Sequence, residues 1–375
     1  MEGLIVKPVS SKQDVNSFIR FLWKIYKDYP AWVPPLMMDR KKLMDKEKNP
    51  FYKHSDVEFF LAEHEGEVVG RIAAIVNHNH IKEHDEKIGF FGFFECINDQ
   101  SVANALFDTA KKYLNDHGMV AMRGPANPSV NDEYGLLIEG FDLSPTVLMT
   151  YNPPYYIKLI EQYGFKKAKD LYAYLLNQDT VYSERFNRAH DLVKKRQNIT
   201  LRTFDKHHFE EEVERVKGVY NKAWAKNWGA VPMTNEEMDA LAADLRPVLV
   251  PELIIFAEKE GKTIGFALSL PDINVSLKHN KKGFFLPGLY HLLTKKKEIN
   301  LVRIIVLGVL PEYINSGAAG ALFYETAINA KKLGYQYGEA SWILEDNVPM
   351  VRASEAMNGI ITKRYRIYQM EIEKG

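Results

Sequence analysis

The sequence predicts an α/β protein, α+β in the finer division, built from two domains of one kind in tandem, each a mixed central sheet flanked by helices. Three observations predict it. A stretch of text occurs twice, Ala62-Glu63-His64-Glu65-Gly66-Glu67-Val68-Val69-Gly70 and Ala257-Glu258-Lys259-Glu260-Gly261-Lys262-Thr263-Ile264-Gly265, offset by 195 residues. The same order of patterns surrounds both copies, and 375 residues exceed what one ordinary core holds. Self-similarity at the scale of a whole domain marks a duplication rather than a solenoid.

The elements follow in order. Val15, Phe18, Ile19, Leu22, Ile25 and Tyr26 lie at helical spacing, which predicts a helix over 14–29, stopped by Pro30, Pro34 and Pro35. Residues 57–63 and 68–75 read as two strands joined at Glu65-Gly66, a β-hairpin. An apolar strand (88–97), a helix (100–115) and Gly118 come next, matched in the second half by 301–309, 318–333 and Gly334. Domains are expected over 1–177 and 201–375, with a polar linker or bridging helix over 178–200.

The second half carries the most informative stretch. Ile304-Ile305-Val306-Leu307 reads as a buried strand, followed by a turn at Pro311-Glu312-Tyr313, then Asn315-Ser316-Gly317-Ala318-Ala319-Gly320, then a helix. A strand that hands over to a helix through small residues leaves backbone N–H groups bare at the helix start, a natural seat for a phosphate or pyrophosphate. Residues 314–319 resemble the pyrophosphate loop of the GNAT N-acetyltransferase superfamily, Gln/Arg-x-x-Gly-x-Gly/Ala. Gly317 and Ala319 match it, and Ile314 stands where the pattern has Gln or Arg. With both hairpins in the form Ala-Glu-x-x-Gly-x-x-x-Gly, the chain resembles the tandem members of that superfamily over roughly 1–175 and 200–372, and in particular an uncharacterised bacterial subgroup.

The resemblance implies acyl-CoA-dependent N-acyl transfer, in its expected form acetyl transfer, to a small or peptidic amine. Acetyl-CoA or another acyl-CoA would be the co-substrate, with no metal. Amides near Val309 and Leu310 would face the thioester, and Asn315, Ser316, Gly317, Ala318, Ala319 and Gly320 would hold the pyrophosphate. Asn347 would open the helix that contacts CoA. The Tyr the family places in that helix is missing from Arg352–Met357, which leaves the acid to Tyr313, to Tyr337 or to no residue at all. Glu339 and Glu345 are the candidate bases, because a carboxyl among apolar neighbours is pushed toward neutrality. Two rivals stay open: an aminoacyl-tRNA-dependent peptidyltransferase-like enzyme, and a non-catalytic CoA-binding module.

In the first half the strand runs into Asn98-Asp99-Gln100-Ser101, with no Gly-x-Gly, and a carboxylate there competes with phosphate for the same amides. That half is expected to be a degenerate copy. It carries a Pro-, Gly-, Asn- and Tyr-rich insertion, in which Asn127, Asn131, Glu133, Tyr151, Asn152 and Tyr155 are the candidate acceptor-site residues, against the alternative of a stiffened surface loop. A second insertion, 272–300, puts Phe284, Phe285, Leu286, Leu289, Leu292 and Leu293 between lysine pairs and triplets. Residues 278–297 are a contact for a membrane surface, an acyl carrier or an acyl chain, or else a helix packed on its own domain with a solvated rim.

Composition bounds the rest. A formal net charge of +0 argues against a general nucleic-acid surface. The single Cys96 excludes an internal disulfide and reads as a core thiol. His78, His80 and His84 read as a solvated connection rather than a metal site. The start MEGLIVKPVSSKQD lacks the basic-then-apolar form of a secretion signal, and no run reaches membrane-spanning length, so a soluble cytoplasmic protein is expected.

Overall fold

The structure is a computed structural model that describes residues 2–181, 188, 190, 191, 195 and 198–372. The expected 178–200 linker therefore lies largely outside the described residues. The helices and strands are, in order, β1 (Ile5–Pro8), α1 (Lys12–Ile25), α2 (Met37–Met44), β2 (Ser55–His64), β3 (Glu67–Asn77), α3 (His78–His84), β4 (Ile88–Cys96) and α4 (Gln100–Asp116). Next come β5 (Ala121–Gly124), β6 (Ala126–Asn127), β7 (Glu133–Tyr134), β8 (Leu136–Glu139), α5 (Tyr155–Tyr163), β9 (Lys166–Asn177), α6 (Gln178–Val181) and β10 (Ile199–Thr203). Then follow α7 (Phe209–Trp224), α8 (Asn235–Leu245), β11 (Ile254–Lys259), β12 (Lys262–Pro271), α9 (Asn274–Leu277) and α10 (Phe285–Thr294). The chain ends with β13 (Leu301–Val309), α11 (Ala318–Lys332), β14 (Tyr337–Leu344), α12 (Val348–Ala356) and β15 (Ile360–Glu371).

Two compact units emerge, and neither is contiguous in sequence. The first holds Met1–Leu171, Leu277–His291 and Lys363–Gly375; the second holds Tyr172–Ser276 and Leu292–Thr362. In the first, strands run in the order β1-β2-β3-β4-β5-β15; in the second, β10-β11-β12-β13-β14-β9. In each, an antiparallel hairpin leads into a strand that pairs antiparallel on one side and parallel on the other.

The parallel pairing is brief in both. β4 meets β5 only from Ile88↔Ala121 to Phe90↔Arg123, and β13 meets β14 only from Leu301↔Tyr337 to Ile304↔Ala340. Each long strand then runs on, to Cys96 and to Val309, paired with its hairpin partner but no longer with its parallel neighbour, and each carries an irregularity against that hairpin partner, between Arg71 and Ala73 and between Leu268 and Ser269. A bulge bends a strand and re-aims its backbone groups. This opening beside a bulged strand is the feature that positions the site.

Three elements differ from the sequence reading. Helix α1 starts at Lys12, because Ser11 and Asp14 form a capping box: the Asp14 amide donates to Ser11 Oγ at 3.0 Å and the Ser11 amide to Asp14 Oδ2 at 3.1 Å. The histidine run is not a solvated connection but helix α3, capped by the Asn77 side chain, with His80 only 1% exposed against the edge of Phe90. The middle of the second insertion, Leu277–His291, belongs to the first unit rather than to the half that encodes it. Its Lys281 carbonyl accepts from Trp23 Nε1 at 2.8 Å and its Gly283 carbonyl from the Met37 amide at 2.9 Å. Gly283 is required there: φ is +67° and a Cβ would lie 2.5 Å from the Pro35 carbonyl oxygen.

Candidate active site

In the second unit, β13 leaves its pairing with β14 at Ile304, crosses a 3₁₀ turn at Pro311–Ser316 and enters α11 through Gly317. Gly317 sits at φ 82° and ψ 0°, a left-handed conformation that a side chain would strain. No side chain of that residue caps the helix; Ser316 Oγ accepts from the Ala318 amide at 3.2 Å and donates to the Tyr313 carbonyl at 2.7 Å. The amides of Ala319 and Gly320 have no acceptor within the helix, as for any first turn. A Cβ added at Gly320 would meet nothing within 4 Å. A helix start of small residues with no side-chain cap is the chemistry a pyrophosphate calls for.

The sequence-predicted residues are placed unequally. Asn315 and Gly320 are exposed, Ser316 and Ala319 half-buried, and Ala318 fully buried under the loop. Val309 is buried and paired opposite Gly265, and the Leu310 amide donates to the Ile264 carbonyl at 2.8 Å. Leu310 is therefore no donor for a thioester carbonyl, contrary to expectation. Asn347 caps α12, its Oδ1 accepting from the Met350 amide at 3.4 Å. Tyr313 is half-buried, with the Lys262 ammonium 6.0 Å from its ring centre.

The two glutamates occupy different surroundings. Glu339 is 1% exposed, faces Arg303 across the paired part of β13 and β14, and accepts from Ser341 Oγ at 2.7 Å. Arg303 Nε in turn donates to Ser341 Oγ at 2.9 Å. Glu345 lies just past the end of β14, half-buried, on the side where the strands have opened. Two residues that sequence reasoning missed flank this opening. Trp224 closes on the bare backbone of Gly308, where a Cβ would lie 2.3 Å from the indole, and Lys262 stands by the loop. The glycine beside an aromatic-rich helix was visible in the sequence; their contact was not. An apolar cavity of ≈ 30 Å³ lies beside Ile304, Phe323, Ala327, Gly338 and Met357.

The first unit handles the same geometry differently. Phe93 adopts φ 52° in the irregular part of β4, and its amide donates to Asn127 Oδ1 at 2.5 Å. Gly92 is bare because a Cβ would lie 1.7 Å from the Ala126 carbonyl oxygen. The opening between β4 and β5 is thus filled by the chain's own insertion. Asn127 Nδ2 donates to Glu133 at 3.3 Å, and Glu133 accepts from Arg40. Asn152 Oδ1 accepts from the Leu137 amide at 2.7 Å, and its Nδ2 donates to the Leu137 carbonyl at 3.1 Å. Tyr151 and Tyr155 donate to the carbonyls of Phe141 and Cys96 at 2.8 and 2.7 Å, and the Asn131 amide donates to Ser129 Oγ at 3.1 Å.

Asn131, Tyr151 and Asn152 thus bond within the insertion, while Asn127, Glu133 and Tyr155 tie it to β4 and α2. Behind them, Glu95 Oε2 lies 2.8 Å from the Tyr26 hydroxyl and 2.7 Å from that of Tyr156. Burial pushes its carboxyl above the ordinary range, against the pull of Arg71 and both hydroxyls. At the start of α4, Asp99 Oδ1 accepts from the amides of Ser101 and Val102 at 2.8 and 3.3 Å. The Ser101 hydroxyl holds that carboxyl below its usual range, so it stays charged where a phosphate would sit.

Comparison with known proteins agrees with this geometry. The chain is 34% identical over 376 residues to the bacterial ceramide synthase of Caulobacter vibrioides, covering 98% of this chain and 97% of that protein. It is 32% identical over 377 residues to the protein YghO of Escherichia coli K12, covering 98% and 95%. Among solved structures, a tandem GNAT protein from the clavulanic acid biosynthesis pathway superposes with a TM-score of 0.57 at 11% identity, covering 99% of both chains. A GCN5-related N-acetyltransferase from Sphaerobacter thermophilus gives 0.53 at 14% identity, covering 100% of this chain and 98% of the other. No family model matches. With these full-length relatives, the chain belongs to the family that contains YghO and the Caulobacter protein, and its doubled fold is that of the tandem GNAT proteins.

Proposed function

We propose that the protein is an acyl-CoA-dependent N-acyltransferase with its donor site in the second unit, and that its acceptor is a long-chain amino alcohol. The observation that carries the donor is the uncapped entry of α11 at Gly317–Gly320 beside a strand that has parted from its neighbour. The acceptor rests on the full-length relationship to a protein named as a ceramide synthase, ceramide being the N-acyl derivative of such an amine. It replaces the small or peptidic amine, and the acetyl donor, that the sequence alone suggests.

The reaction forms one C–N bond and breaks one C–S bond. The acceptor ammonium loses two protons, one to the departing thiolate and one to a base. We assign the base to Glu345, half-buried just past the end of β14 where the strands have opened, rather than to Glu339, which is 1% exposed below the opening. Lys262 stands near the loop, paired with Glu312 at 3.7 Å, where Ile314 supplies no charge. Glu345→Gln is expected to lower kcat by about 100-fold with acyl-CoA binding retained. Glu339→Gln is expected to lower stability more than it changes kcat on the folded fraction.

The test incubates the purified protein with acetyl-CoA or palmitoyl-CoA and with sphinganine, a polyamine or a short peptide, following thiol release and amide mass. Palmitoyl transfer to sphinganine is the expected result. Transfer confined to the peptide or polyamine would overturn the acceptor, and donor binding without thiol release from any pair would leave a binding module.

A further inference from the structure

Helix α10 turns its apolar side outward. Phe285, Leu286, Leu289, Tyr290 and Leu293 are all exposed, Leu286 by 74% and Leu293 by 73%, and Phe284 joins them just before the helix. At about 100° per residue, these five fall on one continuous arc of about 140°. The opposite side is the packed one: a Cβ on Gly288 would lie 2.7 Å from Leu36 Cδ2 and 3.0 Å from Asn280 Nδ2. A helix resting on its own domain in water has the reverse pattern, apolar inward and polar outward. Met38 and Leu143, each one residue from a hydrogen-bonding contact of this insertion, are exposed as well.

Charge around the strip is of one sign. Lys281 and Lys282 stand at its start and Lys295, Lys296 and Lys297 at its end, and residues 278–297 contain no acid, in a chain whose formal net charge is +0. Glu298 pairs with Lys295 at 2.8 Å, while Lys281, Lys282, Lys296 and Lys297 are exposed. No helix among the described residues is long and apolar enough to cross a membrane. A short helix with a wide apolar arc and a basic rim lies along an interface instead.

We infer that α10 docks the protein on an anionic lipid bilayer, with the apolar arc in the acyl boundary and the lysines among the headgroup phosphates. The cations sit at both ends of the strip rather than along it, and a surface that is apolar beneath and acidic over its whole rim meets both features at once. The inference does not rest on the acyl-transfer reading, although a water-insoluble acceptor would be met at such a surface.

The test is sedimentation of the full-length protein, without any acyl-CoA, with vesicles of phosphatidylcholine alone or mixed equally with phosphatidylglycerol. Partition onto the anionic vesicles is expected to exceed that onto neutral ones by about tenfold and to fall with added salt. The double variant Leu286→Glu, Leu293→Glu should lower it by at least about tenfold with the melting temperature unchanged, since both side chains already face outward. Lys281→Gln with Lys282→Gln should weaken binding to the anionic vesicles only. The inference falls if the protein does not sediment, or if the leucine variant sediments as well as the parent. It falls equally if light scattering shows a dimer that the leucine variant splits, or if an acidic acyl carrier protein is bound and vesicles are not.

Discussion

At the start of α4 a carboxylate sits on the first amides of the helix; at the start of α11 the Ala318 amide meets the Ser316 hydroxyl and no carboxylate stands there. The strands that feed the two helices differ in the same sense. In the first unit the amide of Phe93 is taken by Asn127, and the gap beside β4 is filled by residues 126–127. In the second, β13 and β14 part after Ile304 and Ala340. One inherited framework has thus been closed by its own polar groups in one half and left open in the other. Buried polar groups must be satisfied somewhere, and the first half satisfies them from within the chain. On the reading proposed above, it gives up the donor site in doing so.

The largest test of this contrast copies the closed state into the open one. Gly320→Glu places a carboxylate at the start of α11, where there is room for its Cβ. Acyl-CoA affinity should fall by at least about 100-fold, while the melting temperature holds or rises slightly, because glycine is a poor helix former and an acid suits a helix start. Calorimetric titration checks the affinity, and undiminished binding would move the donor away from this loop.

A second, intermediate effect separates the halves by acid. His80 is pushed down to about 3, first by burial and then by His84 and Arg123 nearby. Glu86 lies 3.6 Å away but is half exposed and also lies 3.5 Å from Arg123, so burial prevails. A histidine that resists protonation when folded stabilises the fold above its unfolded pKa near 6.5, and that stability is lost as pH falls toward 3. The first unit should therefore lose about 2 kcal/mol between pH 7 and pH 5. His80→Phe should flatten that part of the stability profile, read by urea unfolding at each pH. The ring nitrogens accept and donate no hydrogen bond among the described residues, so none is lost.

The smallest effect comes from uncapping the closed half. Asp99→Ala removes the acceptor for two amides and should cost about 1 kcal/mol in urea unfolding. It should confer no CoA affinity, since Asn127 still fills the gap beside β4. Binding gained by this single change would show that the Asp99 carboxylate alone had excluded the ligand.

Much of this was legible in the text of the chain. The duplication is written in the two hairpins, and the difference between Asp99 and Gly317 is a difference between two residue types with opposite uses at a helix start. What escaped depends on approaches between residues far apart in sequence. Asn127 reads as a free polar group on a loop, and only the bare Gly92 against the Ala126 carbonyl shows why it is a plug. Glu339 and Glu345 look alike in sequence, and the fold buries one against Ser341 and leaves the other half-buried just past the end of β14. The insertion at 277–291 is encoded in one half and held by Trp23 and Met37 of the other, which no local pattern announces.

The most direct measurement is the stoichiometry of acyl-CoA binding to the intact chain by calorimetry. One open and one closed half predict a single site per chain, lost in Gly320→Glu and unchanged in Asp99→Ala. Two sites, or one that survives Gly320→Glu, would contradict the account.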